Sequence, residues 1–85
     1  MFAERIFKLG NGLKNRLDQG LLDGALDYVN FNEEPLAFEI LCEHICEYDV
    51  AISKEEYEYA MKLAQEMGFD VMEAPFKYLQ DLVVC

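Results

Sequence analysis

Tryptophan and threonine are absent from this sequence, and serine and histidine occur once each. That scarcity removes most nucleophilic chemistry. Ser53 is the single aliphatic hydroxyl, and with His44 as the one imidazole the chain offers no plausible triad. No glycine-rich phosphate loop is present. Positive charge is equally scarce, with seven basic side chains against seventeen acidic ones and a net charge of −10. Phosphates would be repelled, so direct binding to nucleic acid or to an anionic membrane surface is disfavoured. No apolar run reaches the ~18 residues of a membrane-spanning helix. The opening "MFAERIFKLG" has charges in its first turns and no long apolar region, so it does not read as a signal peptide. Three cysteines, an odd number, without such a signal predict reduced thiols and a cytoplasmic setting.

What is present is apolar and acidic. A hydrophobic fraction of 53% is too high for a disordered acidic chain, so one small folded domain over residues 1–85 is expected. The charge is unevenly placed. Residues 1–20 carry Arg5, Lys8, Lys14 and Arg16 against Glu4 and Asp18, whereas the remainder carries three lysines against fifteen carboxylates. Such a balance suits a basic partner, or solubility alone.

Apolar spacing is helical throughout. Phe2, Ile6, Leu9, Leu13 and Leu17 form one stripe over residues 2–17, with a kink or break possible at Gly10 and Gly12. Residues 21–29 make a short second helix. Asn32 is placed to cap a third, with Glu33, Glu34 and Pro35 in its first turn, running to about Tyr48. Ser53 and Glu56 form a capping box for a fourth, whose buried stripe is Tyr57, Ala60, Met61, Ala64 and Met67, and Gly68 suits its end. A tail begins like a short helix at Pro75, and its end could equally be extended. The expected fold is all-α, an antiparallel bundle of four to five helices. The third and fourth helices, joined by about four residues, are expected to pack as a hairpin with their acidic ends together.

The stretch "LCEHICEYDV" concentrates two cysteines with the histidine. On a helix Cys42 and Cys46 lie one turn apart, while His44 projects roughly 160–200° away from both. The three cannot converge on one ion, and no second Cys/His pair completes a zinc site. The cysteines read as small hydrophobes flanking a core face. Calcium and acyl-carrier readings also fail. No segment has the alternating oxygen ligands of an EF-hand, and Ser53 lacks the aspartate–serine–leucine setting of a phosphopantetheine serine. Neither cofactor nor metal is expected.

The same helix carries a column of Glu39, Glu43 and Glu47, while Phe38, Leu41, Ile45 and Tyr48 are expected to face the core. Like charges at this spacing cost only ~0.2–0.5 kcal/mol each, so a merely solvated face would be tolerated. Asp49 follows directly, Glu55 and Glu58 open the next helix, and Tyr48 and Tyr59 lie among these acids. Carboxylates steer a basic partner and tyrosines anchor it.

The segment from "NFNEEPLAFEILCE" through "YD", "ISKEEY" and "AQEMG" resembles the small α-helical immunity proteins of Maf and contact-dependent growth-inhibition systems. The matching elements are Glu34-Pro35, Leu36-Ala37 through Cys42-Glu43, Tyr48-Asp49, Ile52-Ser53 with Glu55-Glu56-Tyr57, and Ala64 with Met67-Gly68, about half the chain. The resemblance implies a non-enzymatic antidote that binds the toxin domain delivered by a sibling cell, often an RNase of EndoU-like or tRNA-cleaving type. The expected assembly is a heterodimer with that basic toxin. The contact residues expected from charge, not from the resemblance, are Glu39, Glu43, Glu47, Tyr48, Asp49, Glu55, Glu58 and Tyr59. A regulatory adaptor that binds a basic helix or groove is the competing expectation.

Overall fold

The computed structural model describes residues 1–84. Four α-helices and two 3₁₀ segments succeed one another: α1 (Ala3–Gly12), α2 (Gln19–Asp27), a 3₁₀ turn (Tyr28–Phe31), α3 (Glu34–Glu47), α4 (Lys54–Glu66) and a C-terminal 3₁₀ segment (Phe76–Leu82). The radius of gyration is 11.5 Å, close to the ~12 Å expected of one small domain of this length.

The first stripe is buried as its spacing predicts, but its helix stops early. Ile6, Leu9, Leu13 and Leu17 are all in the core, yet α1 ends at Gly12 and residues 13–17 continue as turns closed by Leu13, Arg16 and Leu17 amide donors. Gly10 sits where packing is close. A Cβ there would meet both terminal methyls of Leu26 at 3.0 Å, so α1 and α2 approach closely at this point. Asp18 then caps α2, accepting from the Leu21 amide at 3.2 Å.

Asn32 does not cap α3. It sits at φ +59° and ends the preceding 3₁₀ turn, and Glu33 occupies the cap position without a side-chain bond. Asparagine tolerates that left-handed conformation, which a bulkier residue resists. The start of α3 is secured from a distance, because the Glu34 carboxylate accepts from the Phe2 amide at 3.1 Å and meets the terminal ammonium at 3.6 Å.

α3 and α4 end alike. In each, two amides beyond the helix close back on its last turn in a Schellman arrangement: Asp49 to Cys46 and Val50 to Ile45, then Gly68 to Gln65 and Phe69 to Ala64. The left-handed residue is Gly68 in α4, as its sequence predicts, and Asp49 at φ +51° in α3. The capping box of Ser53 and Glu56 is fully formed.

Ala37, Phe38, Leu41, Cys42 and Ile45 of α3 are buried, and α1, α2 and both 3₁₀ segments pack on them. Phe38 stacks on Phe76 at 5.8 Å between ring centroids and meets Phe69 at 6.2 Å. The expected α3–α4 hairpin does not form. α4 packs on α1 and on the C-terminal 3₁₀ segment instead. That segment also packs on α3, and beyond it the chain is extended: Val83 pairs with Ile52 in a lone parallel bridge. A local loop of six residues permits a hairpin, but Phe76 and Leu79 supply a better apolar cover. The core of α4 is Ala60, Leu63 and Ala64, while Tyr57, Met61 and Met67 flank it half-buried. Tyr48 is corrected outward, being 52% exposed at the end of α3.

Truncating Phe38 removes the ring that Phe69 and Phe76 cover. Phe38→Ala is expected to cost about 3–5 kcal/mol, whereas Tyr48→Ala should stay within about 0.5 kcal/mol. Urea unfolding followed by circular dichroism measures both. Comparable losses would contradict this placement of the two rings.

Candidate protein-interaction surface

Cys42 is wholly buried and Cys46 half-buried, its thiol 3.4 Å from the Pro75 carbonyl to which it donates. Burial holds both thiols above their ordinary range, more strongly for Cys42, and so keeps them from the thiolate form that nucleophilic or metal chemistry needs. His44 stands apart with its ring centroid 6.2 Å from that of Tyr48. Among the described residues no three histidine, cysteine or acidic side chains converge as a cation would require. Cys85 lies outside the described residues.

The basic residues of the first twenty have a structural use. Arg5 forms a two-pronged pair with Glu66 at 3.0 and 2.9 Å. Arg16 grips Glu56 in the same manner and also donates to the carbonyls of Ala51 and Gly12. The start of α1 therefore meets the end of α4, and the end of α1 meets its start, so the two helices run antiparallel. Hydrogen bonding to the arginines lowers both carboxylate pKa values and raises those of the arginines.

Between these clamps, the Tyr59 hydroxyl donates to the Arg5 carbonyl at 3.1 Å and the Lys8 ammonium lies 5.7 Å from the Tyr59 ring centroid. Tyr59 is thus held against α1 and is not a protruding anchor. Glu55 lies beside it, lining with Lys8, Leu9, Gly12 and Glu56 an open hollow between the two helices.

The acids expected to form one patch are therefore divided. Glu55 and Tyr59 face α1. Glu43 and Glu47 are exposed on α3, with Glu39 half-buried beside them. Tyr48 and Glu58 are exposed, whereas Asp49 lines a separate hollow with Cys46, Tyr78, Asp81 and Leu82. Among the described residues, Glu39, Glu43, Glu47, Asp49, Glu55 and Glu58 form no ion pair within the domain. The α3 column stays intact at helical spacing of four, exposed at Glu43 and Glu47 and half-buried at Glu39, and among the described residues no internal cation pairs with it.

Tyr78 and Asp81 were not candidates on sequence grounds. Nothing local connects them to α3, and the usable signal is the i, i+3 pair Phe76–Leu79, which turns the tail onto the core. Compared with family models, with curated proteins and with solved structures, the chain gives no match in any of the three.

Glu56 joins a cap and an ion pair in one side chain. Its pKa lies below the ordinary carboxylate value of about 4.3, chiefly through Arg16, so it contributes stability above that pH. The contribution is lost as pH falls through the lower native value. Glu56→Ala should cost about 1–2 kcal/mol at pH 7, with the gap from the parent narrowing at about pH 3. Urea titrations at the two pH values test this, and a gap that widens in acid would refute it.

Proposed function

We propose that this domain is an immunity protein that binds a cognate toxin, a nuclease with a basic substrate cleft, and neutralises it by occupying that cleft. The observation that carries the reading is the α3 column. Glu39, Glu43 and Glu47 stand on the outer side of the most deeply packed helix, and the arginines that could have neutralised them are bound to α4 instead. Residues 30–70, which hold the resemblance to Maf and contact-dependent growth-inhibition immunity proteins, include this column and the α4 capping box.

The mechanism is electrostatic and steric, and no bond is made or broken by the domain. A ribonuclease lines its cleft with lysine and arginine to hold phosphates, and a rigid row of carboxylates competes for the same cations. Charge of this kind speeds encounter by about 10- to 1,000-fold at low salt. Close pairs that become desolvated couple by ~1.5–7 kcal/mol, while exposed rim pairs give much less. Tyr48, half-exposed at the end of the column, supplies an aromatic contact. Glu58, one turn from Glu55 on α4, belongs to the rim.

Co-expression with the product of the gene immediately upstream, scored for rescue of growth, tests the biological role. Rescue supports an immunity protein, and failure with that product active favours an acidic adaptor. The electrostatic mechanism has its own test in the combined Glu39→Lys, Glu43→Lys and Glu47→Lys variant. Association with the toxin should slow by about tenfold or more at low salt, and its salt dependence should flatten. Stopped-flow binding at two ionic strengths reads both, and unchanged association would remove this face from the interface.

A further inference from the structure

Asn11, Asn15, Asn30 and Asn32 are all exposed, so exposure does not distinguish them. Their neighbours do. Asn15, Asn30 and Asn32 precede the bulky Arg16, Phe31 and Glu33, whereas Asn11 precedes Gly12, and the two are the last residues of α1. A glycine amide has no Cβ beside it to block its approach to another group, and its backbone turns most freely. We propose that Asn11 is a site of spontaneous deamidation, gated by opening of the last turn of α1 and held back by Arg16.

The step needs only water and hydroxide. The Gly12 amide nitrogen gives its proton to hydroxide and attacks the side-chain carbonyl carbon of Asn11. A C–N bond forms and closes a five-membered imide, while the side-chain nitrogen takes a proton from water and leaves as ammonia. Water then adds to one of the two imide carbonyls, and the C–N bond at that carbonyl breaks. Opening at the side-chain carbonyl gives aspartate. Opening at the main-chain carbonyl gives isoaspartate, whose backbone runs through the side chain and is longer by one methylene. In sum, the amide and one water become an acid and ammonia.

The fold sets the rate and the consequence. Helical backbone, with ψ about −42°, keeps the following amide nitrogen turned away from the side-chain carbonyl, so the turn must open first. Gly10 and Gly12 each weaken the helix by about 1 kcal/mol relative to alanine. The Lys14 amide reaches the Asn11 carbonyl only at 3.4 Å, but Arg16 donates to the Gly12 carbonyl at 2.6 Å. Arg16 is itself fixed by Ala51 and Glu56, which makes it the brace of this turn. Leu9 and Leu13, on either side, are buried and leave no slack for an added methylene. A Cβ at Gly12 would lie 3.4 Å from the Glu56 carboxylate, so a shift there is felt at the clamp. Isoaspartate therefore loosens the end of α1 from the start of α4. Aspartate keeps the backbone length and adds one charge to the hollow that Asn11 shares with Lys14, Asp23 and Asp27.

The domain is held in mildly alkaline buffer, sampled over weeks, digested and read by mass spectrometry, with isoaspartate scored by a protein-isoaspartate methyltransferase. Position 11 should convert while Asn15, Asn30 and Asn32 stay intact, and isoaspartate should be among the products. Unfolding in urea should speed conversion about tenfold or more. Arg16→Lys, which loses the forked grip, should speed it about threefold in the folded domain. Arg5→Lys, which loosens the opposite end of α1, should leave the rate unchanged. Gly12→Ala should slow conversion to the level of the other asparagines, and it decides the matter if Arg16→Lys does not fold. Aged protein enriched in isoaspartate should unfold at lower urea than the Asn11→Asp variant, which carries the charge without the added methylene. Conversion at position 11 no faster than at the other three asparagines, equal rates in the folded domain and in urea, or equal acceleration by Arg5→Lys and Arg16→Lys would each overturn the inference.

Discussion

Burial of one side of α3 is the constraint from which the rest of the architecture follows. Five of its residues, Ala37, Phe38, Leu41, Cys42 and Ile45, are at most 2% exposed. Large apolar side chains contribute about 1.5–3 kcal/mol each when taken out of water. Every other element except α4 packs directly on this helix. Repulsion along the glutamate column is smaller by several-fold. The helix can therefore hold three aligned carboxylates on its outer side, and its packed inner side keeps them in register. Rigidity and charge come from the same fourteen residues, which is what a surface must combine to engage a cleft with little loss of conformational freedom.

The uneven charge of the chain takes on meaning in three dimensions. Arg5 and Arg16 lie early in the sequence and neutralise Glu66 and Glu56 at opposite ends of α4. Exposed pairs of this kind add little stability individually. Their larger effect is on where negative charge remains: the α1–α4 side is partly balanced, and α3 is not. A protein with the same net charge and its arginines elsewhere would present a different surface.

Features that the sequence makes legible are those decided within one or two helical turns. The Ser53–Glu56 capping box, the Gly68 terminus, the stripe of α1 and the burial of Cys42 each follow from local spacing and chemistry. The misreadings share a different cause. Asn32 can cap a helix or close a turn, and packing of the preceding 3₁₀ segment chooses the second. Tyr48 lies on the inward side by periodicity, but α3 ends there and the chain turns away. Tyr59 reads as an exposed aromatic until α1, more than fifty residues earlier, is laid against it. The α3–α4 hairpin is plausible from loop length, yet the tail returns to cover α3. The candidate surface was accordingly readable along α3 and unreadable where Tyr78 and Asp81 join Asp49. Identity of a partner is carried by no local pattern at all.

The order of packing differs from the order of the chain. The earliest helix lies against α4, and the last described residues close over α3 and the loop after it. A cut between α3 and α4 would separate both pairings, so neither half would hold both members of either. Its single core is therefore shared by both halves of the chain, which favours unfolding as one unit.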